Sequence, residues 1–338
     1  MRVRSFAAMA AVAIVVVAIL ALVAPPYLMQ PDSAPAATAP GAPPKVATRE
    51  AGQPDVVPPE ATAEGDDAAA SAAAGVPVYF VSSEQDVLRI LEAHGVSEAQ
   101  IAKWAFEKGM DPSSFGITFG GQGAYALYDD QTLAALADQG DAWAQQTLAS
   151  RIWKERPLEA ADLYREAAAR GSAEAARQLS SLYFYAADAL DRKRTGDWSP
   201  ETIEALRQAG EGDGGLEVSA LAWALAGEAE AGLPQGSLAS FLLSDYTGSD
   251  LESACDRAAS IVADNAEQRR QMGLASGWQG PAPVFPDPSE LTMGQCPPDI
   301  FPAPDLSGCQ PVRVEMDDPA DAASGRGGLT LQVCPGAG

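Results

Sequence analysis

Residues 136–151 read LADQGDAWAQQTLASR, and residues 167–182 read AAARGSAEAARQLSSL. The two stretches share a spacing. Gly140, Ala144 and Leu148 in the first recur as Gly171, Ala175 and Leu179 in the second, 31 residues further on. Each glycine falls where one helical pattern stops and another starts. Glycine tolerates the left-handed backbone that ends a helix sharply. Asp141 and Ser172, next in line, suit the cap of the helix that follows. Positions four and eight after the glycine lie on one face of that helix. Alanine there lets a neighbouring helix come close, and leucine fills the space behind it. Helix–turn–helix units that stack on copies of themselves are built this way.

Helix signals surround this pair. Ser82 and Ser83 precede Val87, Leu88, Ile90 and Leu91, and His94-Gly95 closes that segment. Ser97 with Gln100 makes a capping box for a second helix carrying Ile101, Trp104 and Ala105. Residues 109–128, rich in glycine and aromatics, read as a packed loop. Further helices are expected near 130–139, 142–153, 157–170, 173–187, 200–209, 216–231, 236–246 and 250–273. Ser199-Pro200 reads as a cap followed by proline at the first helical position, and Ser249 with Glu252 as another capping box. In the last helix Leu251, Ala254, Cys255, Ala258, Val262 and Asn265 share one face.

Between Leu133 and Ala187 the run Ala160-x-x-Leu163-Tyr164-x-x-Ala167-Ala168-x-x-Gly171-x-x-x-Ala175-x-x-x-Leu179-x-x-x-Tyr183 resembles the Sel1-like repeat, a relative of the tetratricopeptide repeat. A weaker echo runs from Ala220-Leu-Ala-Trp223 through Ala231-Gly232, with one residue too many between Trp223 and Gly232. The chain departs from the family where Trp153-Lys-Glu-Arg-Pro157 replaces the usual Gly-rich loop between paired helices, which shortens the period. The resemblance implies a mainly α, helical-hairpin superhelix whose concave face meets other proteins. A plain alanine-rich bundle is the competing reading.

Outside the helices the texture changes. Arg2 and Arg4 precede nineteen uninterrupted apolar residues, Phe6 to Ala24. In a helix these nearly span the ~30 Å of bilayer hydrocarbon. Leu22 stands where a cleavage site wants a small residue, and Pro25-Pro26 follow. An uncleaved signal anchor, arginines inside, is the preferred reading over a cleaved signal peptide. Either places the rest across the membrane, in the periplasm of a bacterial envelope. Residues 25–75, rich in Pro and Ala, read as a disordered tether. Its reach is ~40 Å as a flexible coil and ~150 Å drawn out. VPVYFV at 76–81 reads as a short strand or packing strap. The expected organisation is thus an anchor at 1–24, a tether at 25–75, a helical segment with loop at 76–128, the repeat domain at 129–276 and a proline-rich tail at 277–338.

The tail carries two alternating runs, Val312–Met316 and Leu329–Val333, which read as a hairpin. The four cysteines, Cys255, Cys296, Cys309 and Cys334, suggest two disulfides in an exported chain. Cys309 precedes the first run and Cys334 follows the second. That favours Cys309–Cys334 with Cys255–Cys296, among the three connectivities that four cysteines allow.

The charge and the motifs narrow the function. Net charge is −24 with only 22 Lys and Arg, so nucleic acid is a poor partner. With one histidine, His94, and no C-x-x-C, neither zinc nor thioredoxin-type chemistry is expected. No G-x-S-x-G elbow is present. Gly120-Gly-Gln-Gly123 lacks the Lys-Ser/Thr of a phosphate loop, and Gly210–Gly215 lacks the ligands of a calcium loop. Arg192-Lys-Arg194 reads as a solvated basic loop. The expectation is therefore a non-enzymatic module without cofactor, held in the membrane by residues 6–24 and partnered by envelope proteins. The alternative is an envelope-polymer binder or hydrolase, for which Trp104, Phe106, Tyr125, Asp129 and Asp130 could line a carbohydrate groove; an aromatic core plus a helix cap is the preferred reading of those five residues.

Overall fold

The computed structural model describes residues 76–81, 84–110, 125–191, 198–210, 215–236, 249–274, 281–287, 296–297, 305–316 and 329–335. The expected anchor and tether, Ser82 and Ser83, the 120–123 and 192–194 motifs, and all but Gly236 of the 236–246 helix lie outside these residues. No helix among the described residues is long and apolar enough to cross a membrane.

The described part is mainly helical. Strand β1 is Val78–Val81. Nine helices follow among the described residues: α1 Glu84–Ala93, α2 Glu98–Glu107, α3 Asp130–Asp138, α4 Ala142–Ile152, α5 Pro157–Ala169, α6 Ala173–Asp191, α7 Pro200–Ala209, α8 Gly215–Ala231 and α9 Ser249–Gln271. Strands β2 Val284–Pro286, β3 Gln310–Met316 and β4 Leu329–Val333 end the described chain. The Ser97–Gln100 capping box is formed, and Ser199 caps α7 with Pro200 at its first position.

The two quoted stretches form consecutive hairpins. Gly140 has φ +85° and Gly171 φ +104°, a region that costs other residues on the order of 1–2 kcal/mol. Paired hydrogen bonds close each turn: Gly140 N to Ala137 O with Asp141 N to Leu136 O, and Gly171 N to Ala168 O with Ser172 N to Ala167 O. Asp141 then accepts from the amides of Trp143 and Ala144, and Ser172 from that of Ala175. The bare side of Gly140 lies against the Arg170 guanidinium, which would stand 2.5–2.7 Å from a Cβ placed there. Above Gly171 the nearest side chain is Arg269, at 3.9–4.0 Å from such a Cβ. A guanidinium at a helix C-terminus faces the negative end of the helix dipole.

Antiparallel neighbours α3/α4, α4/α5 and α5/α6 pack in sequence, α6 packs on α8, and α8 on α9. Their shared core contains Leu133, Ala144, Leu148, Ala160, Tyr164, Ala175, Leu179 and Tyr183. The α6/α8 crossing is close. A Cβ on Gly227 would come within 3.1 Å of the Ala173 carbonyl oxygen and 3.3 Å of the Ala176 Cβ. On α9 the expected face is turned inward: Ala254, Cys255, Ala258 and Asn265 are buried, Leu251 and Val262 half-buried.

A four-stranded sheet, order β1-β3-β4-β2, stands beside this layer. The expected hairpin is present as the antiparallel β3/β4 pair, with Val312 opposite Leu331. Two pairings go beyond the expectation. β1 lies parallel to β3, Val78 opposite Arg313, so the sheet draws on both ends of the described chain. β2 pairs antiparallel with β4 from within the proline-rich stretch. Helices α1 and α2 and the turn between them cover the sheet, through Ile90, Leu91, Val96 and Ile101 against Val312, Val314, Leu331 and Val333. The disulfides are Cys255–Cys296 and Cys309–Cys334.

Candidate interaction surface

The repeat residues face inward. Ala144, Ala175, Leu179 and Tyr183 have no exposed surface, and Leu148 almost none. The Tyr183 hydroxyl accepts from Arg165, whose guanidinium also donates to the Ala209 carbonyl at 2.9 Å. Burial raises the pKa of this tyrosine. The glycine, alanine and leucine positions therefore set helix spacing, and other side chains form the outer surface.

Among the described residues an exposed apolar set lies where Phe106, at the end of α2, meets Trp143 of α4 beside the turn at 125–128. Phe106 stacks on Trp143 with centroids 5.4 Å apart and planes 26° apart. Tyr125 also stacks on Trp143, at 6.2 Å and 22°, and meets Tyr128 edge-on at 5.8 Å. Two ion-bearing side chains fix this arrangement. Asp141 caps α4 with one carboxylate oxygen and accepts the Tyr125 hydroxyl with the other, at 2.7 Å. Burial first, then this hydrogen bond and the Asp141 charge, push the Tyr125 pKa up to about 12. From the last turn of α4, Arg151 donates to the carbonyls of Tyr128 and Ala126 at 2.7 and 2.9 Å and pairs with Asp130 at 2.9 Å. The turn at 125–128 is thereby held against the helix. Phe106, Leu127 and Tyr128 remain 50%, 86% and 41% exposed.

Of the five residues weighed between a carbohydrate groove and an aromatic core with a helix cap, Phe106 and Tyr125 are brought together, through Trp143. Asp129 caps α3 by accepting from the Thr132 amide at 2.7 Å, and that bond holds its carboxyl below the ordinary range. Asp130 pairs with Arg151. Trp104 is interior, in line with the core reading, its indole N–H donating to the Ala231 carbonyl at 2.9 Å. Sequence reasoning passed over Trp143 and Arg151. Trp143 is itself buried, and its place directly before Ala144 does not set it apart from core.

A second set of charges is buried where α2, α8 and α9 end and α6 begins. Glu174 pairs with Arg177 at 2.6 Å and Glu230 with Arg269 at 2.8 Å, all four side chains being largely covered. Burial lowers the Lys108 pKa, against the opposing charge of Glu230. For Arg177 burial works in the same downward direction, but Glu174 outweighs it and the pKa is raised. The Glu174 amide donates to the Lys108 carbonyl at 3.3 Å, which ties α2 to the first turn of α6. His94 spans Tyr79 and Gln310, with ring nitrogens 3.1 and 3.3 Å from their side-chain oxygens. Among the described residues no group of three or more His, Cys, Asp or Glu is placed to hold a metal ion.

No protein-family model, no curated protein and no solved structure matches this chain.

Proposed function

We propose that this chain is a non-enzymatic interaction module of the bacterial envelope: a Sel1-like helical-hairpin superhelix that offers a surface to other envelope proteins. Residues 6–24 anchor it in the inner membrane, 25–75 tether it, and the folded part faces the periplasm. One observation carries the reading. The repeat residues are consumed by packing, while Phe106, Leu127 and Tyr128 stand exposed on a scaffold fixed by Asp141 and Arg151. Rigidly held aromatics of this kind contribute strongly to protein–protein interfaces.

The test places a photo-crosslinking residue at Phe106 in full-length protein within intact cells. Defined adducts with envelope proteins, lost in an L127S/Y128S background, are expected. A background-level pattern would refute the proposal. Recovery of the full-length chain from washed membranes by detergent, and loss of that membrane association on deleting residues 6–24, tests the anchor.

A second reading keeps the alternative of an envelope-polymer binder. The exposed ring of Phe106, stacked on the buried Trp143 that also carries Tyr125, is the observation that favours it. Binding to isolated cell-wall polymer that F106A abolishes would select this reading.

A further inference from the structure

The two disulfides sit in different surroundings. Cys255 and Cys296 are both buried, in the core that α8 shares with α9. Cys309 and Cys334 flank the open end of the β3/β4 ladder, one position beyond the Gln310–Val333 pair. Cys334 is buried, but Cys309 is only half-buried, in the turn that leads into β3. Exchange requires a thiolate to reach one of the two sulfurs, so exposed bridges are the labile ones.

What the outer bridge holds is specific. The Cys334 amide donates to the Pro283 carbonyl at 2.9 Å. The next residue, Pro335, accepts from the Gln100 side chain at 3.1 Å. Its ring lies against Gly95, where a Cβ would be 3.1 Å away. The bridge therefore clamps the end of β4 onto the turn between α1 and α2.

We propose that Cys309–Cys334 is a redox-sensitive latch, opened by a dithiol reductant in the folded protein, while Cys255–Cys296 persists as a permanent staple. The reductant's thiolate attacks the Cys309 sulfur. The Cys309–Cys334 bond breaks, and the electron pair leaves on the Cys334 sulfur, which takes a proton from water. The reductant's second thiol then displaces Cys309 from the mixed disulfide. The dithiol ends as a disulfide, and two electrons and two protons have passed to the chain. Release of the bridge frees Pro335 from Gly95 and Gln100 and loosens the sheet end. The helical layer, pinned by its own disulfide, stays folded. This inference is independent of the proposed function.

The test exposes oxidised full-length protein, without denaturant, to a series of dithiothreitol concentrations. Alkylation and peptide mapping then read each bridge. Cys309–Cys334 should open at about tenfold less dithiothreitol than Cys255–Cys296 or lower still. Amide exchange should then rise at 94–100 and 329–335 and stay unchanged across α8 and α9. A C309S/C334S double variant should reproduce that exchange pattern with its helical signal intact. Opening of both bridges together, prior opening of Cys255–Cys296, unchanged exchange at 94–100, or failure of the double variant to fold would each overturn the latch.

Discussion

The hairpins from α3 to α6 and the four-stranded sheet are organised in opposite ways. In the hairpins the pairings α3/α4, α4/α5 and α5/α6 are all between sequence neighbours. A glycine turns the chain, the next residue caps the new helix, and alanines on that helix meet the one just completed. In the sheet, β1 pairs with a strand from the far end of the chain, and β2 reaches β4 across a proline-rich stretch. Local order is assembled from propensity, caps and spacing, whereas the sheet depends on closing long loops. The two regions meet at Trp104, Ala173, Ala231, Phe285 and Cys334, a small apolar joint contributed by both.

Substitutions at and around this joint measure how separate the regions are. W104A should have the largest effect. It empties a buried indole site and strips the Ala231 carbonyl of its donor, costing about 5 kcal/mol. If the regions are one cooperative unit, tryptophan fluorescence and far-UV circular dichroism will report a single, lowered midpoint. Two separate midpoints would show that hairpins and sheet unfold independently. Removing Cys255–Cys296 as C255S/C296S should cost about 4 kcal/mol, from the chain entropy of a loop spanning 41 residues. Denaturant melts of the helical signal check this.

Smaller changes probe the hairpins alone. G140A should cost about 2 kcal/mol, from backbone strain and displacement of the Arg170 guanidinium. G171A meets only Arg269 at ordinary contact distance and should cost about 1 kcal/mol, so the order of the two midpoints tests the geometry of each turn. D141A should cost a further small amount, about 1 kcal/mol, through loss of the α4 cap. It should also return the Tyr125 pKa from about 12 toward the ordinary tyrosine range, read by ultraviolet titration. The sign follows from linkage. The folded pKa exceeds the unfolded one, so the contribution of Tyr125 to stability is complete below the unfolded value near 10 and is lost as pH rises toward 12.

The same contrast explains how much was legible in the sequence. Helix positions from α3 to α9 could be read because caps and apolar spacing act within one or two turns. Gly140 and Gly171 were placed in their turns, and Asp141 and Ser172 in their caps, by neighbours alone. The β3/β4 hairpin and its flanking cysteines could be read because both strands alternate clearly. β2 could not, since three residues among prolines carry no period. The parallel β1/β3 pairing could not either, because no local signal links Val78 to Arg313. The charged seam of Lys108, Glu174, Arg177, Glu230 and Arg269 likewise depends on several helix ends arriving at one place, whereas a core position for Trp104 could be read from its spacing with Ile101 and Ala105. At the aromatic surface, Phe106 and Tyr125 were named from the sequence. Trp143, which joins them, was not, because a tryptophan at a helix start has no pattern that sets it apart from core.

The reach of the sheet also sets a schedule for biosynthesis. β1 is among the first described residues to be made, yet its partner β3 is translated only after all nine described helices. Until then β1, with Phe80 on its outer side, is a nascent strand whose hydrogen-bonding edge has nothing native to pair with. The hairpins can close as they emerge, whereas the sheet must wait until β3 and β4 have been made.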